Sequence, residues 1–427
     1  MSVVQSGLEV FLQEPPAVVR GRRIGLLSSA AAVDRYYRLS ADLLVERGAR
    51  PLPIGRGEGT ATSARRRTKD EGRIRRSSFV FRPGGAQAGW RVTRLFGPEH
   101  GLRGDYPAGE LVPDGVDPIT GVPVSSLYGP AKKPTAAMLA DVDVIVVDLQ
   151  DAGVRFATKQ VSTMYCLEAA AEHGRHIVVL DRPNPTGGRY VEGPLLEPAL
   201  ESFVGRRGQP IRHGLTLGEL ARSVDESEAI GADLTVVPVE GWQRDQWWDE
   251  TGLPWVLPSP NLPTLDTATV YPGTCLLEGT LLSEGRGTTR PFEIAGAPWI
   301  EPYRWAAALN ERQLPGVHFR PLWFQPVASK HQGARCGGVQ VHVADRRAFQ
   351  PAAAGIHVIE MARSLRPQEF GWRPAPGIAG AIPAIDRLYG SAGLREQIDA
   401  GVSADEIIRG WDTSAYQALR ERVLLYQ

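Results

Sequence analysis

Two stretches constrain the fold of this chain more than any others. Residues 141–148 read Asp-Val-Asp-Val-Ile-Val-Val-Asp, and residues 176–181 read His-Ile-Val-Val-Leu-Asp. Each is a short, β-branched apolar run that closes on a carboxylate, Asp148 or Asp181. Between them, residues 161–173 place Met164, Leu167, Glu168 and Ala171 at helical spacing, and Gly174 stops the pattern. Strand, helix, strand, with strands apolar on both faces, predicts a parallel sheet covered by helices. Such sheets take their ligands beyond the carboxyl ends of the strands, where Asp148 and Asp181 stand. Residues 23–28 read as a further strand. The fold class expected is therefore α/β, with a Rossmann-like parallel-sheet N-terminal domain over residues 1–240.

The remainder looks different. Residues 241–260 carry Trp242, Trp247, Trp248 and Trp255 with Pro254, Pro258 and Pro260, and prolines so placed exclude long regular elements. They read as a linker. Residues 261–427 read as a smaller α+β C-terminal domain, with a half-exposed strand at 338–343, helices at 303–313 and 355–365, and one helical C-terminus over 403–425. One segment fits neither domain. Residues 51–89 hold Arg65, Arg66, Arg67, Arg73, Arg75 and Arg76 among many Gly, Ser and Thr, with almost no apolar periodicity. They read as an anomalous, disordered insertion, since long structureless loops are uncommon inside compact domains. Removing them runs 46–49 directly into 91–96, an ordinary helix-to-strand connection.

Composition excludes several classes. Of the 427 residues, 48 are Lys or Arg and 48 are Asp or Glu, so no net charge draws the chain toward nucleic acid or an anionic membrane. Any charged ligand has to be held by a local cluster. Cys166, Cys275 and Cys336 are too far apart in sequence for a CxxC metal site and too few for a disulfide scaffold; buried, inert thiols are expected. No stretch approaches the roughly 20 apolar residues of a membrane span. The N-terminus shows no basic region, apolar core or cleavage site of a signal peptide, so the expectation is a cytoplasmic protein. GxGxxG after a strand, GxxxxGK[ST], GxSxG and HExxH are all missing, so the Rossmann-like sheet is not expected to bind a dinucleotide.

Four clusters could do chemistry. In 96–105 (FGPEHGLRGD), Glu99, His100 and Arg103 follow a strand end in a glycine-punctuated loop, where the backbone can approach a ligand closely. In 148–156 (DLQDAGVRF), Asp148 and Asp151 could cap a helix or hold a cation, Gln150 offers an amide, and Arg155 could bind a carboxylate bidentately. In 180–185 (LDRPNP), Arg182 and Asn184 sit on a proline-stiffened loop, with Glu192 following in EGP at 192–194. In 278–293 (EGTLLSEGRGTTRPFE), Ser283, Glu284, Arg286, Thr289 and Arg290 suit a polyhydroxylated, anionic ligand. Each cluster also has a plain structural reading, as turns, caps or solvated charge.

In this order, and with PSPNLPT at 258–264, these motifs resemble a bacterial family, the NamZ-type exo-β-N-acetylmuramidases. The resemblance spans about residue 7 to the C-terminus without the 51–89 segment. It implies an active site in the cleft between the two domains, hydrolysis of non-reducing terminal N-acetylmuramic acid from peptidoglycan-derived saccharides in cell-wall recycling, and no metal or cofactor. Glu99 matches the family's GPEHG glutamate and is the first choice for general acid, with His100 tuning it or binding substrate. The second carboxylate of glycoside hydrolysis is ranked Glu284, then Asp148, Asp151 and Glu192, unless the substrate's acetamido group takes that part. The muramic acid carboxylate would meet Arg103, Arg155, Arg182, Arg286 or Arg290. Two departures stand out. The family usually continues after Arg155-Phe156 with Tyr-Thr-Tyr, where this chain has Ala157-Thr158-Lys159, and Leu281 replaces a usual Asn.

Two other readings compete. A non-catalytic peptidoglycan-fragment binding protein would keep the arginines and lose turnover. A nucleotide- or nucleic-acid-binding protein would use the sheet and the Arg-rich segment, against the neutral charge and the absent phosphate loops. The sequence leaves the oligomeric state open.

Overall fold

The structure, a computed structural model, describes residues 3–48, 89–374 and 381–427. The 51–89 insertion therefore lies outside the described residues, apart from Gly89.

The first unit is a seven-stranded sheet. Its strands are β1 (Arg23–Ser28), β2 (Arg91–Gly97), β3 (Gly115–Val116), β4 (Pro123–Ser126), β5 (Val144–Asp148), β6 (His176–Leu180) and β7 (Asp233–Val237), in the order β3-β4-β2-β1-β5-β6-β7. All neighbours run parallel except β3 and β4. The period of two is visible in the burial. Val144 and Val146 join the core on one face with Leu8, Phe11 and Leu44, whereas Ile145 and Val147 join the opposite core with Leu167 and Leu220. Both faces are covered, so every position of β5 is buried.

Helix α1 (Gly7–Gln13) is closed by a Ser6–Glu9 capping box. Helix α2 (Ser40–Gly48) leads toward β2, where the indole of Trp90 donates to the Leu44 carbonyl at 3.0 Å. Helix α3 (Thr158–Glu172) joins β5 to β6, and α4 (Leu217–Glu228) joins β6 to β7. Helix α3 starts three residues before the expected 161. Its N-cap is Ala157, which offers no side-chain acceptor, so the usual start signal is missing. Thr158 and Lys159 thereby enter the first helical turn.

The sheet changes direction at its centre. From β1 the chain moves through α2 to β2, and from β5 it moves the other way through α3 to β6. Ser28 is paired with Asp148, so the loops leaving β1 and β5 diverge from adjacent points. A crevice at such a switch point is the standing ligand site of doubly wound sheets.

The second, smaller unit holds a three-stranded antiparallel sheet of β8 (Ile294–Ala297), β9 (Val317–Phe324) and β10 (Cys336–Val343), ordered β8-β10-β9. Helices α5 (Leu265–Thr274) and α6 (Pro302–Glu311) pack on it, and α7 (Pro351–Leu365) packs on α5 and α6. Helices α5 and α7 touch through Gly273 and Gly355, where an added Cβ would collide with facing backbone. The expected single C-terminal helix is two, Ala404–Arg409 and Ser414–Val423. Gly410 ends the first, and Asp412 accepts from the Ser414 amide ahead of the second. The second returns to the first unit, where Tyr416 and Val423 enter the core beside α4. All three cysteines are free and buried. Among the described residues no helix is long and apolar enough to cross a membrane.

Candidate active site

A cleft of about 220 Å³ opens at the switch point. Ser29 lines it from the end of β1, Glu99 and His100 from the end of β2, Lys159 from the first turn of α3, and Pro258 and Ser259 from the proline-rich strap above. A larger depression of about 480 Å³ elsewhere is lined by Asp249, Asp266 and Arg346. It contains no motif residue apart from Thr264, and Arg346 is paired with Asp249 at 2.8 Å, so the smaller cleft is the candidate site.

Glu99 is oriented from two sides. Its Oε2 accepts from the Thr158 hydroxyl at 2.7 Å, and its Oε1 accepts from the Gly109 amide at 3.1 Å. The Tyr128 hydroxyl also reaches Glu99; burial, with this carboxylate beside it, pushes that phenol up to about 12. The next residue, His100, has φ +71°. A left-handed conformation at a non-glycine residue is costly and persists where the surroundings impose it. Here the imposition is visible. His100 Nδ1 lies 3.0 Å from the Tyr106 carbonyl, which requires Nδ1 to carry the proton, so Nε2 accepts from the Ser259 hydroxyl at 3.2 Å. Burial lowers the imidazole pKa, Lys159 adds to the effect, and Glu99 opposes it. The ring is thus neutral at pH 7, with a fixed tautomer.

Lys159 is 6% exposed and donates to the Pro258 carbonyl at 2.5 Å. Burial lowers its pKa to about 8 against the opposing charges of Asp151 and Glu99, and Arg182 lowers it further.

Most other predicted site residues do not line this cleft. Arg103 lines the cleft, yet its guanidinium is engaged by Asp117 (2.8 and 2.7 Å) and Asp42 (3.1 and 2.7 Å). Asp148 and Arg182 form a buried bidentate pair at 2.6 and 2.9 Å, and Arg182 also donates to the Val33 carbonyl. Arg155 is fully buried and donates to the carbonyls of Pro194, Gln209 and Leu388. Asn184 holds a turn, accepting from Thr186 and donating to the Leu215 carbonyl. Its Oδ1 also occupies the space a Cβ on Gly153 would need, at a residue whose φ is +76°. Glu192 accepts from Arg212 at 2.8 Å and from the Ala352 amide in the first turn of α7.

Asp151 is buried and does not line the cleft. Its Oδ2 accepts from the Gly153 amide and from His213 Nε2 at 3.1 Å, while its Oδ1 is buried without a partner. His213 Nδ1 accepts from the Leu215 amide, which fixes the Nε2–H tautomer. Gln150 donates to the carbonyls of Asp151 and Pro183, and its Oε1 is likewise unpartnered.

The fourth motif forms a separate cluster in the second unit. Glu284 is 2% exposed and lies between Lys330 (2.8 Å) and Arg286 (3.3 Å), and Arg286 also pairs with Glu278 at 2.7 Å. Ser283 accepts from the Gly285 amide. Arg290 pairs with Glu293 at 3.0 Å, and Thr289 is exposed. None of these residues lines the cleft at Glu99, nor does Leu281, which is 38% exposed.

Sequence reasoning missed five polar residues about the cleft: Thr158, Lys159, Tyr128, Ser259 and His213. Ser259 lay inside a recognised motif, and its signal was the company of three prolines. Thr158 and Lys159 lay in the stretch that departs from the family pattern. His213 gave no signal in sequence. Among the described residues no group of His, Cys, Asp and Glu is placed to hold a metal ion.

Comparison with known proteins agrees along the whole chain. Residues 83–266 match the family described as exo-β-N-acetylmuramidase NamZ, N-terminal, and residues 269–426 match its C-terminal counterpart. A peptidoglycan β-N-acetylmuramidase NamZ from Bacillus subtilis is 40% identical over 425 residues, covering 99% of this chain and 91% of the relative. Two solved structures of DUF1343 family proteins from Bacteroides fragilis superpose with TM-scores of 0.84 and 0.72, at 30% and 28% identity. Each covers all of this chain, which in turn covers 100% and 99% of theirs.

Proposed function

The chain belongs to the NamZ family of exo-β-N-acetylmuramidases, and from that premise we propose that it is a glycoside hydrolase releasing non-reducing terminal N-acetylmuramic acid from small peptidoglycan-derived saccharides, with Glu99 as the acid and base. The observation that carries the assignment is the setting of Glu99. It faces the cleft at the switch point of the sheet, held by Thr158 and the Gly109 amide, next to a neutral His100 in a left-handed turn.

Among the described residues Glu99 is the only carboxylate lining this cleft. That favours participation by the substrate's own acetamido group over a second protein carboxylate. In the first step the Glu99 proton passes to the glycosidic oxygen, the C1–O bond breaks, and the acetamido oxygen bonds to C1 to give an oxazolinium ion. In the second, Glu99 takes a proton from water as the water oxygen attacks C1 and expels the acetamido oxygen. Two inversions give net retention. His100 Nε2 and the Ser259 hydroxyl are placed to bind a sugar hydroxyl at the cleft wall.

The test is turnover of a chromogenic N-acetylmuramic acid β-glycoside, with the anomer released followed by NMR. The β-anomer must appear first, and Glu99→Gln must lower kcat by about 10² or more. First appearance of the α-anomer would remove the acetamido step. Full activity in Glu99→Gln would remove Glu99 as the acid.

A further inference from the structure

Lys159 is unusual among the charges of this molecule. Arg103 and Arg182 are held by carboxylates and Arg155 gives three hydrogen bonds to carbonyls, but the Lys159 ammonium has three N–H donors and a single hydrogen-bond acceptor, the Pro258 carbonyl. It stands in the first turn of a helix, where the dipole disfavours a cation. It is more than nine-tenths buried, and it lines the cleft. A buried cation left so underpaired is costly unless a partner arrives. A second group in the same cleft is also waiting. Ser29 is 3% exposed, and its hydroxyl has no hydrogen-bond partner. One ammonium with spare donors and one free hydroxyl lining the same cleft match the two oxygens of a carboxylate.

Resting on the hydrolase reading above, we infer that Lys159, assisted by Ser29, seats the lactyl carboxylate that distinguishes N-acetylmuramic acid from N-acetylglucosamine. The residue that replaces an aromatic of the family pattern is then a specificity determinant of this chain, and none of the arginines is needed for that task. The acidic neighbours Asp151 and Glu99 keep the ammonium charged enough to serve, while Arg182 and the neutral His100 complete its surroundings.

The experiment compares wild type, Lys159→Met and Lys159→Tyr on the chromogenic β-glycosides of N-acetylmuramic acid and N-acetylglucosamine, and measures binding of the two free sugars by calorimetry. Lys159→Met keeps the length of the side chain and removes a buried charge, so it folds at least as well as wild type, which a melting curve checks. A charge-assisted hydrogen bond lost in this setting raises KM and Kd for the muramic compounds by about 10- to 100-fold, with kcat changed only a few-fold and the Kd for N-acetylglucosamine unchanged. An equal effect on both sugars, or none on either, overturns the assignment to Lys159 while leaving the hydrolase reading intact. Selective binding of N-acetylmuramic acid without hydrolysis by wild type would sink the hydrolase reading, and the binding arm would still decide Lys159. A wild type that neither binds nor cleaves the muramic compounds overturns both.

Discussion

The cleft at Glu99 and the cluster at Glu284 look alike in sequence. Each is a glycine-rich run of acids, arginines and hydroxyls, and each was a candidate for the carboxylate chemistry. In the folded chain they differ in how much of their charge is already used. Lys330 donates to the carbonyls of Leu277 and Thr280 and ion-pairs with Glu284, and Arg286 bridges Glu278 and Glu284. In the cleft, Lys159 keeps spare donors and Ser29 is unpartnered. A charged cluster whose members neutralise one another holds a fold together. One whose members wait for a partner is prepared for a ligand.

The sharpest way to break this contrast is to remove each glutamate in turn. Glu99→Gln should abolish nearly all turnover and leave the melting temperature close to wild type, because its hydrogen bonds come from two hydroxyls and one amide at the cleft. Glu284→Gln should do the reverse. Leaving Arg286 and Lys330 without their shared anion costs about 3 kcal/mol, seen as a lower denaturation midpoint, with kcat preserved below the transition. If Glu284→Gln instead lost activity at full stability, the contrast would collapse.

A smaller effect is expected at Ser259→Ala, which removes the hydroxyl that donates to His100 Nε2. With one neutral hydrogen bond worth about 1 kcal/mol, kcat/KM should fall about fivefold, measured against the same chromogenic substrate. A further effect is in the pH dependence of stability. Lys159 has a folded pKa of about 8, below its ordinary 10.5. The unfolded chain therefore binds the extra proton between those values, and the cost of burying the charge is relieved as pH rises through that window. The contribution of this site to stability should increase between pH 8 and 10.5 in wild type and be flat in Lys159→Met, read as the difference between their chemical denaturation curves.

How much of this was legible in the sequence follows from the range of the interactions. The β5–α3–β6 unit was readable because strands buried on both faces must be apolar throughout. The loop of Glu99 and His100 was readable because a strand end, two glycines and three ionisable residues fall within eight positions. The parts that were not legible depend on residues distant in sequence. Nothing near Arg155 announces that carbonyls from Pro194, Gln209 and Leu388 will enclose its guanidinium. Arg182 looked as suitable for a carboxylate ligand as any arginine, and it is already bound to Asp148. Lys159 was read as an aromatic lost, because the start of α3 lacks a capping side chain and gave no reason to place that residue at the cleft.

The enclosure of Arg155 has a consequence for how the molecule comes apart. Its guanidinium joins the loops of the first sheet to the helix Ala384–Tyr389, while Glu192 reaches from the first unit to the start of α7. Separating the two sheets would strand a fully buried cation and a buried carboxylate at once. Either half expressed alone would carry that exposed wound, and heating the whole chain should therefore yield one cooperative transition in a calorimeter, not two.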